Sequence, residues 1–531
     1  MMHRALQTPD IVREICEHIF PFCFTDNVTR HDLPGPSTKR DLLNLALTCR
    51  GLSSPALDRL WWALDDLTSL FKLIPGFQTS PIGYLGSPLD PERDFRVFDR
   101  YAGRVRLYKS EPKETVLASS IFQISQARNG RPILPSLLYL DIEGGKSGLS
   151  PLLSPSLLSI GMRENERADL SFSKPNLWAM LNAIPGKATN LRSLAIKDNV
   201  ELPKECMYAI SKMENLTRLE FSSTLAGTFK HQLDYDTAMA LSKLRNLQYL
   251  AFDGRLDFQD TQNIHATDGL QDSSFFPSLR RLDLCTIAWT IPALCKFLQM
   301  GVFRDLQRLK LRLGQPLIYG LSRLSVNDVE AIRQLHLKWP AFFRALKGCT
   351  TPNFKFLSID NSLRQHDLTP MSAVDDLFLL DLEELHVSNR VFSKVVQTDL
   401  LRLVEAWPNL KSLSIVAEQW DVQFDSLVQI AQKSVKLQSL KIGLDVRNLR
   451  YEPPEVPLLS HRLERIQLTV SGQTSFHLLA RLVDKIFPHL SSCAVLRKHS
   501  SYDDGDLVSD VGMMVRYFQA ARADEVVRRG L

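Results

Sequence analysis

The sequence lacks several features that would assign it to a specialised class. Its 531 residues include 64 Lys and Arg against 59 Asp and Glu, which leaves a formal charge of only +5. A charge this dilute argues against a chain built to bind nucleic acid or a membrane surface. No run of about 18 apolar residues is present, so no transmembrane helix is predicted. We therefore expect no nucleic-acid partner and no membrane partner.

The eight cysteines form no recognisable metal or disulfide pattern. None belongs to a C-x-x-C pair, and none has a histidine at the spacing of zinc ligands. The first residues also lack the apolar core of a signal peptide. We expect a reduced protein of the cytoplasm or the nucleus, with no metal and no other cofactor.

Catalytic motifs are missing as well. The sequence contains no H-E-x-x-H, no G-x-S-x-G and no G-x-G-x-x-G. Gly145-Lys146-Ser147 resembles the end of a phosphate-binding loop, but Leu140 stands where that loop requires its first glycine. A solvated turn is the simpler interpretation. We expect no catalytic residue and no enzymatic activity.

What the chain does contain is a repeated hexamer, L-x-x-L-x-Φ, in which Φ is apolar. Eleven hexamers, some with another apolar residue in a leucine position, begin at residues 137, 191, 216, 247, 279, 306, 354, 382, 410, 437 and 463. The last four steps are 28, 28, 27 and 26 residues long. Leucine-rich repeats recur every ~20–29 residues, so this spacing predicts a degenerate array of such repeats.

The hexamer pattern predicts an α/β fold. Its fourth and sixth residues point to the same face of a strand and enter a core. Amphipathic stretches between hexamers read as short helices, such as residues 400–407, which Pro408 would end. Units of this kind stack into a solenoid, or horseshoe, with a concave side lined by strands.

The first seventy-five residues differ from the repeats. Apolar residues recur at helical spacing from Ile11 to Phe20, again over residues 41–50, and again over 54–64, where Pro55 is near the predicted start. We expect a three-helix domain over 1–75, a connecting segment with an atypical first repeat over 76–130, and the solenoid over 131–499. A polar loop and a C-terminal helix are predicted over 500–531.

Three segments carry a resemblance to a known family. Residues 9–15 (PDIVREI), 41–50 (DLLNLALTCR) and 55–61 (PALDRLW) resemble the F-box motif in the form common in fungal F-box proteins. The resemblance implies binding to the Skp adaptor and, through it, to the cullin of an SCF-type ubiquitin ligase, with the repeats recognising a protein substrate. The adaptor-binding positions that it implies are Pro9, Ile11, Val12, Ile15, Leu42, Leu45, Ala46, Cys49 and Trp61.

Two alternatives stay open at this point. The three helices would also fit a cap that closes the end of the solenoid, because repeat arrays need capping units. The protein would then be a leucine-rich-repeat interaction scaffold without a ligase.

A candidate substrate site follows from the alternation of side chains in the strands. The third, fifth and seventh residues counted from each hexamer start point away from the core. Four of the outward cations, Arg281, Arg308, Lys310 and Arg312, come from two consecutive hexamers, and Arg281 is expected directly beside Arg308. They suggest a site for an acidic or phosphorylated peptide. The alternative is a solvated basic face, partly neutralised by Asp283.

Overall fold

A computed structural model gives the fold of the chain. It describes residues 8–21, 33–78, 84–85, 93–110, 118–143, 150–163, 174–197, 202, 204–222, 231–258, 275–287, 291–314, 339–361, 369–447, 449, 459, 461–471, 475–497 and 509–528.

The chain divides into two compact units, each of which combines helices with a parallel sheet. Unit 1 comprises residues 1–225 and 236–249, and unit 2 comprises residues 226–235 and 250–531. The predicted α/β class is confirmed.

Unit 1 begins with three helices and continues as alternating strands and helices. Its helices are α1 (Pro9–Ile19), α2 (Pro36–Thr48), α3 (Arg50–Leu60), α4 (Thr68–Phe71), α5 (Arg96–Ala102), α6 (Ala118–Ala127), α7 (Lys174–Lys187), α8 (Lys204–Ile210) and α9 (Tyr235–Ser242). Its strands are β1 (Ala63–Leu64), β2 (Phe77–Gln78), β3 (Tyr84–Leu85), β4 (Leu107–Lys109), β5 (Tyr139–Glu143), β6 (Ser159–Arg163), β7 (Ser193–Lys197) and β8 (Arg218–Ser222). The parallel sheet has the order β1-β4-β5-β6-β7-β8, and β2 and β3 form a separate antiparallel pair.

Unit 2 repeats the same alternation on a longer sheet. Its strands are β9 (His231–Asp234), β10 (Tyr249–Asp257), β11 (Arg281–Ile287), β12 (Arg308–Gly314), β13 (Phe356–Asn361), β14 (Glu384–Val396), β15 (Ser412–Asp421), β16 (Ser439–Asp445), β17 (Arg465–Ser471) and β18 (Ser492–Arg497). Its helices are α10 (Ile291–Gln299), α11 (Trp339–Cys349), α12 (Asp375–Phe378), α13 (Gln397–Ala406), α14 (Asp425–Lys433), α15 (Phe476–Ile486) and α16 (Ser509–Arg528). Strands β10 to β18 follow one another in sequence order, and β9 pairs in parallel with β10.

All eleven hexamers form strands, and each strand begins at the third residue of its hexamer. The hexamer that starts at Leu382 is representative: Leu382, Leu385 and Val387 are fully buried. The predicted core role of the fourth and sixth residues is confirmed, and the first residue is buried as well: the side chains at all three positions are at most 2% exposed in every hexamer.

A recurring hydrogen-bond pattern fixes the register between neighbouring strands. The carbonyl of the second hexamer residue accepts the N–H groups of the second and third residues of the next hexamer. Thus the Glu383 carbonyl accepts from Lys411 (2.7 Å) and Ser412 (3.2 Å), and the Lys411 carbonyl accepts from Gln438 (2.8 Å) and Ser439 (3.1 Å). Backbone polar groups at the start of each strand are satisfied in this way.

The structure differs from the sequence-based expectations in two additional strands and in the start of one helix. Strands β6 and β18 extend the array although their hexamers, which start at Leu157 and Leu490, have Ile160 and Cys493 in the fourth position. Helix α3 starts at Arg50 rather than at residue 54, because Leu52 in its first turn belongs to the buried core. Pro55 therefore lies inside the helix instead of at its start.

The helix predicted before Pro408 is present as α13, and the helix predicted after the polar loop is present as α16. No helix in the described parts of the chain is both long and apolar enough to cross a membrane.

The buried side chain of His461 forms hydrogen bonds to the backbone at two places in unit 2, residues 434 and 463. His461 Nδ1 accepts the N–H of Leu463 (3.0 Å), so the ring proton lies on Nε2, which donates to the carbonyl of Ser434 (2.7 Å). The ring is held edge-on against Phe487, with 5.5 Å between the ring centres. Burial lowers the pKa of His461, because the charged form would lose its hydration.

We expect His461 to make the stability of unit 2 fall under acidic conditions. A pKa lowered on folding means that the full contribution is present above the ordinary histidine value of ~6.5 and is lost as the pH falls below it. A single histidine contributes a slope of at most about 1.4 kcal/mol per pH unit. Urea unfolding of the full chain between pH 5 and pH 8 should show a shallower pH dependence for His461→Gln than for the wild type. Parallel curves for the two proteins would contradict the assignment.

Candidate functional site

The first candidate site is the cluster of α1, α2 and α3. Its core consists of apolar residues from all three helices, at positions Val12, Cys16, Phe20, Leu42, Ala46, Leu52 and Ala56. Val12, Cys16 and Phe20 are spaced by four residues, so they form one row along α1. Burial raises the pKa of the Cys16 thiol, so this cysteine stays protonated as part of the core.

Arg59 ties the end of α1 to α3. Its Nε and Nη2 atoms donate to the carbonyl of Phe20 at 2.9 and 2.5 Å, and its guanidinium lies 5.5 Å from the centre of the Phe20 ring. Burial lowers the pKa of Arg59. The carbonyl at the C-terminal end of α1, which has no helical partner, is thereby satisfied.

A second row of apolar side chains on α1 faces outward. Ile11, Ile15 and Ile19 are 42%, 37% and 36% exposed. Each directly precedes one residue of the core row, so this second row has the same spacing of four residues. On α2, Leu43 and Leu47 are 45% and 75% exposed and lie one position beyond the buried Leu42 and Ala46. We call Ile11, Ile15, Ile19, Leu43 and Leu47 the exposed apolar set.

The structure divides the predicted adaptor-binding residues into three groups. Ile11 and Ile15 are exposed, and Pro9 is the first residue of α1. Leu45 and Cys49 are partly buried against the cluster core, and Trp61 is partly buried with its ring 4.9 Å from that of Tyr101. The remaining residues, Val12, Leu42 and Ala46, are 1%, 0% and 7% exposed.

Val12, Leu42 and Ala46 lie in the interior of the cluster, and their role in adaptor binding stays a prediction. They belong to the core of the three-helix cluster, because each lies on the helix face that the other two helices cover. Ile19, Leu43 and Leu47 are exposed apolar residues of the same two helices and were not among the predicted positions. Extending the Ile11–Ile15 step by one helical turn identifies Ile19 from the sequence alone.

The second candidate site is on the sheet of unit 2. We call the side that carries the third, fifth and seventh hexamer positions the ladder face. Strand register places Arg281 directly opposite Arg308, as predicted, and Lys310 opposite Asp283 on one side and Ser358 on the other. Arg312 lies between Cys285 and Asp360.

The four predicted cations are together on this face, but their charges are not equally available. Arg281 forms a two-point ion pair with Asp283 through Nε (3.1 Å) and Nη2 (2.7 Å). Arg308 lies over the Phe356 ring, 4.4 Å from its centre, and its Nη2 is 3.8 Å from Glu384. Lys310 and Arg312 have no hydrogen bond or ion pair in the described structure.

Glu384 and His386 occupy the middle of the ladder face. His386 Nε2 is 3.6 Å from the Glu384 carboxylate, and its ring centre is 5.5 Å from that of Phe356. Burial lowers the pKa of His386 and outweighs the raising effect of Glu384. The lowered pKa favours the neutral form of His386 beside the Glu384 carboxylate.

An open cleft lies beyond the ladder face, where β14 and β15 extend past their neighbours. It has a volume of about 490 Å³ and is lined by Lys394, Glu418, Gln419, Trp420, Asp421, Arg447, Thr469 and Ser471. Lys394 pairs with Asp421 at 3.1 Å, and the Arg447 guanidinium lowers the pKa of Asp445 by donating to it. Both cations of the cleft are thus already bound to acids.

In the described residues, no set of three or more His, Cys, Asp or Glu side chains is arranged to hold a metal ion. The side chains of both candidate sites are suited to binding a partner through apolar contact and charge.

Comparisons with known proteins assign no family. No protein-family model matches the chain, and no curated protein matches it either. One solved structure to which the chain is similar is the crystal structure of the Rad7 and Elc1 complex in yeast. The identity is 13%, with 73% of this chain and 86% of that chain covered, and the TM-score is 0.33. A likeness at this level carries no argument about fold or function.

Proposed function

We propose that this protein is the substrate-recognition subunit of an SCF-type ubiquitin ligase. The three-helix cluster would be an F-box that docks on the Skp adaptor and thereby reaches the cullin, and the parallel units would be a leucine-rich-repeat solenoid that holds a target protein. The observation that carries the proposal is the exposed apolar set on a cluster whose sequence resembles the F-box motif.

The exposed apolar set supports a docking role because its members lie outside the core of the cluster. The core row of α1 already fills the interior, yet a second row of three isoleucines follows it on the surface. Apolar side chains repeated every four residues on an exposed helix face are typical of a surface that a partner covers.

The ladder face supports a target-binding role for the repeats. Its side chains are free of the core, and it carries both paired and unpaired charges, whereas the fourth and sixth positions are buried. Arg281, Arg308, Lys310 and Arg312 remain the proposed contacts to the target, with Lys310 and Arg312 the more available pair.

The proposed mechanism is one of proximity. Holding a target beside the transferring subunits converts a bimolecular encounter into an effectively intramolecular reaction. The chain itself would catalyse nothing, and the ubiquitin chemistry would belong to the other subunits.

Substituting the exposed isoleucines should abolish capture of the adaptor. We expect Ile11→Asp/Ile15→Asp to reduce co-purification of the Skp adaptor and cullin with the full chain at least tenfold, because two charges would have to be buried at the interface. Both side chains are exposed, so the thermal unfolding temperature should stay close to that of the wild type.

The matched control is Leu379→Asp/Val435→Asp, which makes the same change at two exposed apolar positions of unit 2. It should leave capture unchanged. If the folded wild type captured neither adaptor nor cullin, the ligase proposal would fail, and the alternative of a repeat scaffold without a ligase would replace it.

A further inference from the structure

A second pair of unpaired cations lies on the ladder face, away from the predicted site. Lys441 is the fifth residue of its hexamer on β16, and Arg465 is the third residue of its hexamer on β17. Neither forms a hydrogen bond or an ion pair in the described structure. We call Lys310 and Arg312 the first cation pair and Lys441 and Arg465 the second.

The strand register fixes the separation of the two pairs. The fifth positions form one continuous row across the sheet, from Lys310 through Ser358, His386 and Ser414 to Lys441. Four strand spacings of ~4.8 Å place the two lysines roughly 19 Å apart along this row. An extended peptide covers that distance in about six residues, at ~3.3 Å per residue.

The surface between the two cation pairs is different in character. The third, fifth and seventh positions of β13, β14 and β15 carry small or uncharged side chains apart from Glu384 and Asp360, with Ser358, Ser412 and Ser414 among them. Glu384 is half-exposed there, and its nearest cation is Arg308 at 3.8 Å. An acidic side chain placed over this strand would meet a like charge, which is unfavourable at close range.

From this arrangement we infer that the ladder face binds an extended acidic segment of the target protein in which two clusters of Asp or Glu are separated by about six non-acidic residues. One cluster would meet each cation pair, and the uncharged stretch would cross β13 to β15. This inference rests on the proposed role of the repeats in holding a target, and it adds the charge pattern that the target must carry.

The spacing requirement distinguishes this arrangement from a general attraction to negative charge. Two weak sites joined by a linker of matching length gain affinity because the second contact is made at a high effective concentration. A linker that is too short to span the sites loses the gain entirely, and a longer one weakens it.

The test uses the purified full chain and labelled Gly/Ser peptides that carry two Asp-Asp pairs, measured by fluorescence anisotropy at fixed salt. A separation of six residues should give a dissociation constant at least tenfold lower than a separation of two. A peptide with acidic residues throughout should also bind more weakly than the spaced one, because it places charge over Glu384.

Charge reversal of each pair supplies the decisive comparison. Lys310→Glu/Arg312→Glu and Lys441→Glu/Arg465→Glu should each remove the preference for the six-residue spacing. Lys347→Glu/Arg481→Glu makes the same charge change at exposed positions of α11 and α15, off the ladder face, and should retain the preference.

Equal affinities for all spacings, or a preference that survives both reversals, would overturn the inference. An equal loss in the Lys347→Glu/Arg481→Glu control would do so as well. The peptides are tested without adaptor or cullin, so the result is independent of adaptor capture. A chain that captures the adaptor but ignores the spacing would leave the ligase proposal standing and remove only this inference.

Discussion

Replacing Trp407 with alanine is expected to lower the free energy of unfolding of unit 2 by about 3–5 kcal/mol. Trp407 directly follows α13 and is fully buried. Removing a buried indole loses its transfer free energy and leaves a cavity that the surrounding backbone cannot fill. Chemical denaturation of the full chain, followed by circular dichroism, measures the change.

Trp407→Phe separates packing from hydrogen bonding at the same position. The indole Nε1 of Trp407 has no hydrogen-bond acceptor in the described structure, so losing the N–H should cost nothing beyond the lost volume. We therefore expect Trp407→Phe to be clearly milder than Trp407→Ala. Similar losses for the two variants would show that the indole N–H, rather than the ring volume, stabilises the site.

A single methyl group at residue 443 should destabilise unit 2 by about 1–3 kcal/mol. Gly443 lies on β16 beneath the indole of Trp420, and a Cβ atom there would overlap the indole ring atoms Cδ1, Nε1 and Cδ2. Gly443→Ala must therefore displace Trp420 from its position at the edge of the cleft. Denaturation midpoints of the wild type, Gly443→Ala, Trp420→Ala and the double variant form a complete cycle.

The cycle should reveal strong coupling between the two residues. In the Trp420→Ala background the added methyl group meets no ring, so its cost should fall by at least about 1 kcal/mol. Gly348→Ala is the control, because a Cβ at that helical position has nothing within 4 Å and should be neutral or slightly stabilising. Additive effects at 443 and 420 would contradict the described packing of the indole.

The repeats could be predicted from the sequence because their signal is local and repeated. Each hexamer carries its buried positions at fixed offsets, and a strand needs no information beyond that alternation. Strand β6, whose hexamer has Ile160 in the fourth position, was not among the predicted repeats, although isoleucine was accepted there at Ile466. A pattern that admits any buried apolar residue in the fourth position would have included it.

The candidate sites were harder to predict, because they depend on which surfaces other elements cover. Helix α1 has two adjacent apolar rows, and nothing in its periodicity tells whether Ile11 or Val12 faces α3. The packing of the three helices decides this, and it buries Val12. The contact between Trp420 and Gly443 likewise follows from side-chain placement rather than from spacing.

The backbone hydrogen bonds at the strand starts are the same whether the connection between two strands is short or long. The hexamers of β12 and β13 start 48 residues apart, at 306 and 354, whereas those of β16 and β17 start 26 residues apart, at 437 and 463. Yet Gln307 accepts from Lys355 and Phe356 in the same way as Gln438 accepts from Glu464 and Arg465. Because the entropy cost of closing a loop grows only slowly with its length, we expect these connections to accept inserted residues, such as an epitope tag, without a change in strand register.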